Sequence, residues 1–514
     1  MRVVFYDCGY ETFGVQYLLS VLKERGHDAR LFFDGSFSKD YLAQDFFLTG
    51  LFSLSPRQVC DSILAHSPQA VCFSMYTLFY LENIRVIKLL KKADPRIIII
   101  CGGFHPSLLP GVVLAHSEVD FVVLGEAEHS LPALLDAAGR LGTEGAKALE
   151  PSALKGVWNM RDGVLVERGL SQVPGDLDSL PYPEKEQYYR ANPSLSRIYT
   201  IIASRGCPYE CTYCNSATMN RFYRAHHEKY YRVRSVGSVI AELERALKKY
   251  RPEHVMFFDD VFGARLEWLR EFAAAYKRSV GLPYYCQTSP MIHSKESLDL
   301  LADSGCCLLE FGFQSANAGV RRNILNRREQ NESMKELVIQ ARRRGIFTEL
   351  DLIANLPGEE RSHIEEALSF VRESRPHWVN LAFLQFHPKT DIIDIALRKG
   401  MLTRDDVDAI EAGKRATSMR LLSKSGLGKE YRILPLQMFL AFYFPAALSG
   451  ALIRFVEKPV IREICSSLAS IQLYVSRIVL SYLDKRDFLV RHHVKRSFRA
   501  AFWVFRKKVF YDAG

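Results

Sequence analysis

Apolar residues fall in short unbroken runs separated by longer amphipathic stretches, and this alternation occurs twice along the 514 residues. In the first block the runs are Val3–Tyr6, Ala29–Phe33, Ala70–Phe73, Ile97–Ile100 and Phe121–Leu124. Helix-like stretches Gly14–Arg25, Arg57–His66, Leu81–Ala93 and Leu131–Ala138 lie between and after them. A strand apolar at consecutive positions is covered on both faces, so residues 1–140 are predicted to form a doubly wound, Rossmann-like domain. Its ligands are expected beyond the carboxyl ends of the strands. The pattern lapses over residues 141–195, where turn formers, Asp178-Ser179-Leu180-Pro181-Tyr182-Pro183 and a hairpin at Arg161-Asp162-Gly163 read as a linker. It resumes with Ile198–Ala203, His254–Phe258, Tyr284–Gln287, Leu308–Phe313, Thr348–Ile353 and Trp378–Leu384, separated by helical periodicity. Six such units over residues 196–400 predict a partial (β/α)6 barrel with chemistry at its strand C-termini. The class is α/β, followed by a mainly helical, basic region over residues 401–514.

Composition adds compartment and partners to this picture. With 48% hydrophobic and 25% charged residues the chain is globular, and its length suits about three domains. Its 11 cysteines are scattered and odd in number, and Met1-Arg2-Val3-Val4-Phe5 begins directly on strand pattern rather than on an export signal. A reducing, cytoplasmic setting is therefore expected. No G-x-G-x-x-G follows the first strand, which disfavours a nicotinamide or flavin dinucleotide. Of the net charge of +10, residues 431–514 carry most: 14 Lys and Arg against 5 Asp and Glu. Within them Ile433–Ile453 is uncharged for 21 residues, long enough for one membrane crossing, but Pro435 and Pro445 interrupt it. Farther on, Arg491, Lys495, Arg496, Phe498, Phe502, Trp503 and Arg506-Lys507-Lys508 mix base and aromatic as in a segment lying on anionic lipid. A helical cap with a solvated basic face fits equally, so peripheral membrane contact through residues 433–514 stays open. Nucleic acid is the disfavoured partner.

The chemistry concentrates after the first strand of the second block. Gly206-Cys207-Pro208-Tyr209-Glu210-Cys211-Thr212-Tyr213-Cys214-Asn215 sets three thiols at C-x3-C-x2-C spacing in a loop. Structural zinc needs four ligands and no local fourth is present. Three thiolates suit a [4Fe-4S] cluster with one iron open to another ligand.

Cys207, Cys211 and Cys214 in this setting resemble the signature of radical S-adenosylmethionine (SAM) proteins. That resemblance implies that SAM chelates the open iron and is cleaved to a 5′-deoxyadenosyl radical. It implies SAM contacts from Tyr213, from Asp259 and Asp260 after the second barrel strand, and from Gln314 and Ser315 after the fourth. Gln314 departs from the family's usual Glu. Pro357 and Gly358, in Asn355-Leu356-Pro357-Gly358-Glu359, match a turn beside the adenine.

A doubly wound domain preceding such a barrel is similar to the cobalamin-binding radical SAM proteins, methyltransferases of class B among them. The matching loops offer Tyr10, Glu11, Ser74, Gly102, Gly103, His105, Gly125 and Glu126 as cobalamin contacts. The D-x-H-x-x-G motif that carries a cobalt-ligating histidine elsewhere is absent. The implied activity is methylation of an unactivated carbon through a 5′-deoxyadenosyl radical and methylcobalamin. Oxidative cyclisation or rearrangement without methyl transfer is the alternative, and tRNA methylthiolation a more distant one. An external one-electron reductant of flavodoxin or ferredoxin type is implied, together with a small-molecule substrate of the lipid, isoprenoid or porphyrin-like class.

Overall fold

Strand β1 (Arg2–Cys8) shows why the first runs are apolar at every position. Val3 and Phe5 pack into one layer with Val15, Leu19 and Leu134, while Val4 and Tyr6 pack into the opposite layer with Val59, Ile63 and Ile87. Parallel β2 (Asp28–Asp34), β3 (Ala70–Ser74), β4 (Ile98–Gly102) and β5 (Phe121–Val123) complete the doubly wound core, ordered β2-β1-β3-β4-β5. A computed structural model describes residues 1–9, 11–35, 53–292, 294–414, 428–459 and 461–462.

The segment expected to be a linker is partly sheet. β6 (Val157–Arg161) and β7 (Val164–Val166) form the anticipated hairpin, but β6 also pairs antiparallel with β5 and extends the first sheet to seven strands. Beyond it, helix Glu186–Ala191 is stitched to the first domain: the Tyr188 ring meets Phe33 edge-on at 5.1 Å, and its hydroxyl donates to Asp7. The turn marked the hairpin correctly, but not its pairing with β5.

The second sheet holds β8 (Ile198–Ile201), β11 (His254–Phe257), β12 (Tyr284–Thr288), β13 (Cys306–Gln314), β14 (Phe347–Ala354) and β15 (Trp378–Phe383), parallel and in that spatial order. It is an open half-barrel with β8 and β15 at its edges. Alternation along the strands sorts its two faces. Leu309, Phe311, Leu350 and Val379 pack outward in one large core with Leu243, Phe272 and Val338, whereas Ile198, Tyr285, Leu308, Phe347 and Trp378 plug the floor of the concave side. Above that floor, by the same pleat, stand Gln287, Glu310, Asp351 and Asn380. Glu310 accepts from Tyr285 Oη at 2.5 Å and Gln287 Nε2 at 2.8 Å, and Asp351 accepts from Asn380 Nδ2 at 3.0 Å.

Residues 433–453 do not form one spanning helix. Helix Gly428–Tyr443 ends before Pro445, helix Ala446–Val456 follows, and no helix among the described residues is long and apolar enough to cross a membrane. Leu434, Leu436, Met438, Leu440 and Ile453 are buried in the barrel's outer core, so the uncharged stretch caps the barrel. The basic aromatic run at 491–508 lies outside the described residues.

Candidate functional site

Both sheets direct the carboxyl ends of their strands into one open cleft with a cavity volume of about 320 Å³. From the first domain it is lined by Phe13, Ser74, Gly102, Gly103, Gly125 and Glu126, and from the barrel by Gly206, Met219, Tyr230, Phe258 and Asp260.

The cysteine loop forms one wall. β9 (Ser204–Arg205) pairs antiparallel with β10 (Arg232–Val233), and between them the chain makes the excursion that carries the thiols and helix Asn215–Ala225. Gly206 opens it at φ +77°, where an added Cβ would fall 2.6 Å from the Tyr230 ring. The loop is then held from three sides. Asn220 Nδ2 donates to the Cys207 carbonyl at 2.7 Å, Asn326 Nδ2 to that of Glu210 at 2.7 Å, and the Ile392 N–H to that of Thr212 at 3.0 Å. Burial pushes the Cys207 thiol well above its ordinary range, and Asp260, Cys214 and Cys211 push it further. Thiols that raise one another's pKa become thiolates together only around a cationic centre, so the donor set fits an iron–sulfur cluster. Among the described residues no three His, Cys, Asp or Glu side chains converge as a single metal ion requires. A cation close to these sulfurs is Arg327, a residue that sequence reasoning missed. Its Nη1 lies 3.8 Å from Cys211 Sγ and 3.3 Å from Tyr213 Oη, its Nη2 donates to the Gly312 carbonyl at 2.6 Å, and it pairs with Glu329.

The other predicted SAM residues divide. Asp260 faces the cleft, accepts from Ser216 Oγ at 2.7 Å, and is pushed above the usual carboxylate range by enclosure even though solvent reaches it. Asp259 turns the other way. It accepts from the Ala203 N–H at 3.0 Å and Ser204 Oγ at 2.5 Å, and burial raises its carboxyl to about 6. The expectation of paired acids at the ligand is therefore corrected to one, because successive residues leave opposite faces and Asp259 ties β11 to the entrance of the cysteine loop. Gln314 sits at φ +69° beside a register shift between β13 and β14, its amide folded against Gly312. Ser315 is spent on a turn, its hydroxyl accepting from the Asn317 N–H at 3.3 Å. Tyr213 packs against the cluster containing Leu356, Leu384 and Phe386 at the ends of β14 and β15. At the Pro357-Gly358 turn, Glu359 accepts from the Asn355 N–H at 2.6 Å and from Tyr431 Oη. The Asn355 side chain, fully buried at φ +63°, has neither amide atom bonded. Orphaned amide atoms at this strand end fit a polar ligand such as SAM.

On the opposite wall Ser74, Gly102, Gly103 and Gly125 line the cleft as expected. Gly103, at φ +98°, leaves no room for a Cβ, which would stand 3.0 Å from the Met75 backbone. This glycine edge, which a Cβ would fill, fits a flat ligand pressed against backbone, as cobalamin is. Three expected contacts are redirected. The Glu11 carboxylate is buried away from the cleft lining, accepting from Gln16 Nε2 at 3.1 Å with Lys185 Nζ at 3.7 Å. His105 is absent from the lining as well: Nδ1 lies 3.1 Å from Thr77 Oγ1, the ring centroid is 4.2 Å from that of Tyr80, and burial lowers its pKa to about 4. Glu126 reaches the cleft, but its oxygens accept from Arg205 and Arg232. Tyr10 lies outside the described residues.

Comparison with known proteins agrees with the two halves. Residues 6–135 match the B12 binding domain and residues 201–371 the radical SAM superfamily. The anaerobic magnesium-protoporphyrin IX monomethyl ester cyclase of Rubrivivax gelatinosus is 24% identical over 76% of this chain and 69% of its own length. The hopanoid C-3 methylase of Methylococcus capsulatus is 26% identical over 77% and 70%. The solved structure of OxsB, a cobalamin-dependent SAM radical enzyme with aqua-cobalamin and SAM bound, superposes with a TM-score of 0.65 at 14% identity, covering 100% of this chain and 80% of that one.

Proposed function

The chain belongs to the cobalamin-binding radical SAM proteins, and we propose that it methylates an unactivated carbon of a small, largely apolar substrate. Its cofactors are a [4Fe-4S] cluster, SAM and cobalamin. When bound, they supply a 5′-deoxyadenosyl radical that takes hydrogen from the substrate and a methyl group that replaces it. Cys207, Cys211 and Cys214 hold the cluster in this reading, with Asp260, Asn355 and Tyr213 around SAM. Ser74, Gly102, Gly103 and Gly125 form the cobalamin wall. The observation that carries the reading is the single cleft. The glycine edge and the excursion that carries the cysteines, through Gly206, Met219 and Tyr230, line the same space, as methyl transfer between their ligands requires.

The cleft lining supports the substrate class. Phe13 and Phe258 stand 6.1 Å apart by ring centroid, Phe104 lies 5.8 Å from the ring of Tyr76 just outside the lining, and Phe258 is 48% exposed. Such surface suits a flat or fused-ring molecule of the isoprenoid or porphyrin-like kind, the classes in the names of the relatives. Electrons come from an external flavodoxin- or ferredoxin-type donor in the cytoplasm. Exposed Leu448 and Phe455 on helix Ala446–Val456, together with the basic composition of residues 463–514, support peripheral contact with anionic membrane, where such substrates reside.

Oxidative cyclisation without methyl transfer is a second reading, favoured by the Rubrivivax relative. The test is anaerobic reconstitution with iron, sulfide and hydroxocobalamin, then turnover of hopanoid and porphyrin panels with methyl-labelled SAM. A product heavier by one CH2 and carrying label is expected. An unlabelled product that has lost hydrogens establishes the cyclase, and 5′-deoxyadenosine formation by protein that binds no hydroxocobalamin removes methyl transfer.

A further inference from the structure

The loop after β5 ends in two carboxylates that leave their own domain. Arg205 Nη1, on β9, lies 2.6 Å from Glu126 Oε2 and 2.7 Å from Glu128 Oε1, while Arg232, on β10, pairs with Glu126 Oε1. Arg205 and Arg232 are direct cross-strand partners in the β9–β10 ribbon. Both ends of the excursion Gly206–Tyr231, with all three cysteines inside it, are thus fastened to the loop that lines the opposite wall of the cleft. The four side chains are only 4–12% exposed. Arg205 also lies over the Tyr17 ring at 4.7 Å and Arg232 donates to the Pro174 carbonyl at 2.5 Å, so each guanidinium is fixed in direction as well as in charge.

A buried ion cluster of this kind adds little net stability, since desolvation offsets much of the attraction, but its forked geometry imposes a particular arrangement. A second contact runs in parallel. Tyr223 and Tyr230, both inside the excursion, stack at 5.0 Å with planes 9° apart. The Tyr223 hydroxyl lies 2.7 Å from where a Cβ on Gly125 would stand, and the Tyr230 ring is seated against Gly206. Charge and shape both register the cysteine loop against the first domain.

We propose that Glu126 and Glu128 are positioning residues that set the cysteine loop relative to the cobalamin cleft, so that filling the cleft is sensed at the cluster. This rests on the cluster and cobalamin assignment above, and it replaces the expectation that Glu126 is itself a cobalamin ligand.

The test uses full-length protein reconstituted anaerobically with iron and sulfide, with and without hydroxocobalamin. Its readouts are iron content, retained hydroxocobalamin, thermal midpoint, the electron paramagnetic resonance signal of the reduced cluster with SAM, and 5′-deoxyadenosine formation. In Glu126→Gln/Glu128→Gln, iron and hydroxocobalamin are retained within about twofold, the SAM-bound signal splits into more than one species, and the response of 5′-deoxyadenosine formation to hydroxocobalamin is lost. The rate falls about tenfold to a hundredfold, as small misplacements cost. Glu126→Asp/Glu128→Asp restores part of it. Loss of hydroxocobalamin with an unchanged cluster signal would show the glutamates to be cofactor ligands and overturn the proposal. Should the double Gln variant lose its fold, Arg205→Lys, which keeps charge without the fork, must split the signal at the parental thermal midpoint; a parental signal there overturns it too. Iron retained by Cys207→Ala/Cys211→Ala/Cys214→Ala defeats the underlying assignment, whatever the glutamate variants do.

Discussion

The two walls of the cleft are built from the same kind of strand end but furnished in opposite ways. The first domain offers glycine backbone and a few hydroxyls, and turns its charged or basic groups elsewhere: Asp7 to Tyr188, Glu11 toward Lys185, His105 beneath Tyr80, Glu126 to the arginines. The barrel brings Asp260 to the mouth and sets the three thiols and the buried, unbonded Asn355 behind it, on the cysteine loop and at the end of β14. A broad ligand with many amide arms is held by shape, which glycine provides. A small zwitterion on a metal is held by directed side chains, which need scaffolding such as Asp259, Glu359 and Glu329 behind them.

That contrast is broken or sharpened by three experiments, the most severe first. Cys207→Ala/Cys211→Ala/Cys214→Ala should reduce 5′-deoxyadenosine formation to background by chromatographic assay while hydroxocobalamin binding persists. Loss of both would show that the walls are not separately furnished. Next in size is a pH effect on the first domain. Burial holds the folded-state pKa of His105 at about 4, below its unfolded value near 6.5, so the unfolded chain binds the extra proton in between. The stability this neutral imidazole permits is complete above pH 6.5. It declines as pH falls toward 4, by up to about 3 kcal/mol. His105→Asn should flatten that decline in denaturant titrations at successive pH values, and an unchanged slope would mean the ring is not confined as described. Smallest is Gly102→Val. A Cβ there meets only the Val123 carbonyl, at 3.5 Å, so the fold has room and the rest of the side chain intrudes on the cleft. Hydroxocobalamin affinity should weaken about tenfold, near 1.4 kcal/mol, at parental iron content.

Periodicity located the strands to within a residue or two because their apolar runs are dictated by two-sided burial, and the Cys207, Cys211 and Cys214 triplet is legible because three thiols fall within one loop. What escaped was set by distance along the chain. Glu126 looked like a ligand because its partners Arg205 and Arg232 are 79 and 106 residues away. Glu11 and Lys185 are equally remote in sequence, and the choice between Asp259 and Asp260 depends on which face of the pleat each leaves. The role of Arg327 beside Cys211 carried one weak signal, the basic pair Arg327-Arg328 followed by Glu329, just beyond helix Ala318–Asn323. For Ile433–Ile453, hydrophobicity established burial but not the medium, since a barrel flank and a bilayer make the same demand on composition.

The cap formed by residues 428–456 has a consequence for modularity. Because Tyr431 is hooked to the Pro357-Gly358 turn through Glu359, and Leu434 and Met438 complete the barrel's outer core, this piece is no detachable accessory. A chimera that borrows a relative's tail to change its target has no natural seam before Arg462, since Glu457 is bonded to Gln437 and Arg361, and Ile461 packs on the same core. A cut made upstream would strip the barrel's flank and loosen the Pro357-Gly358 turn together with the tail.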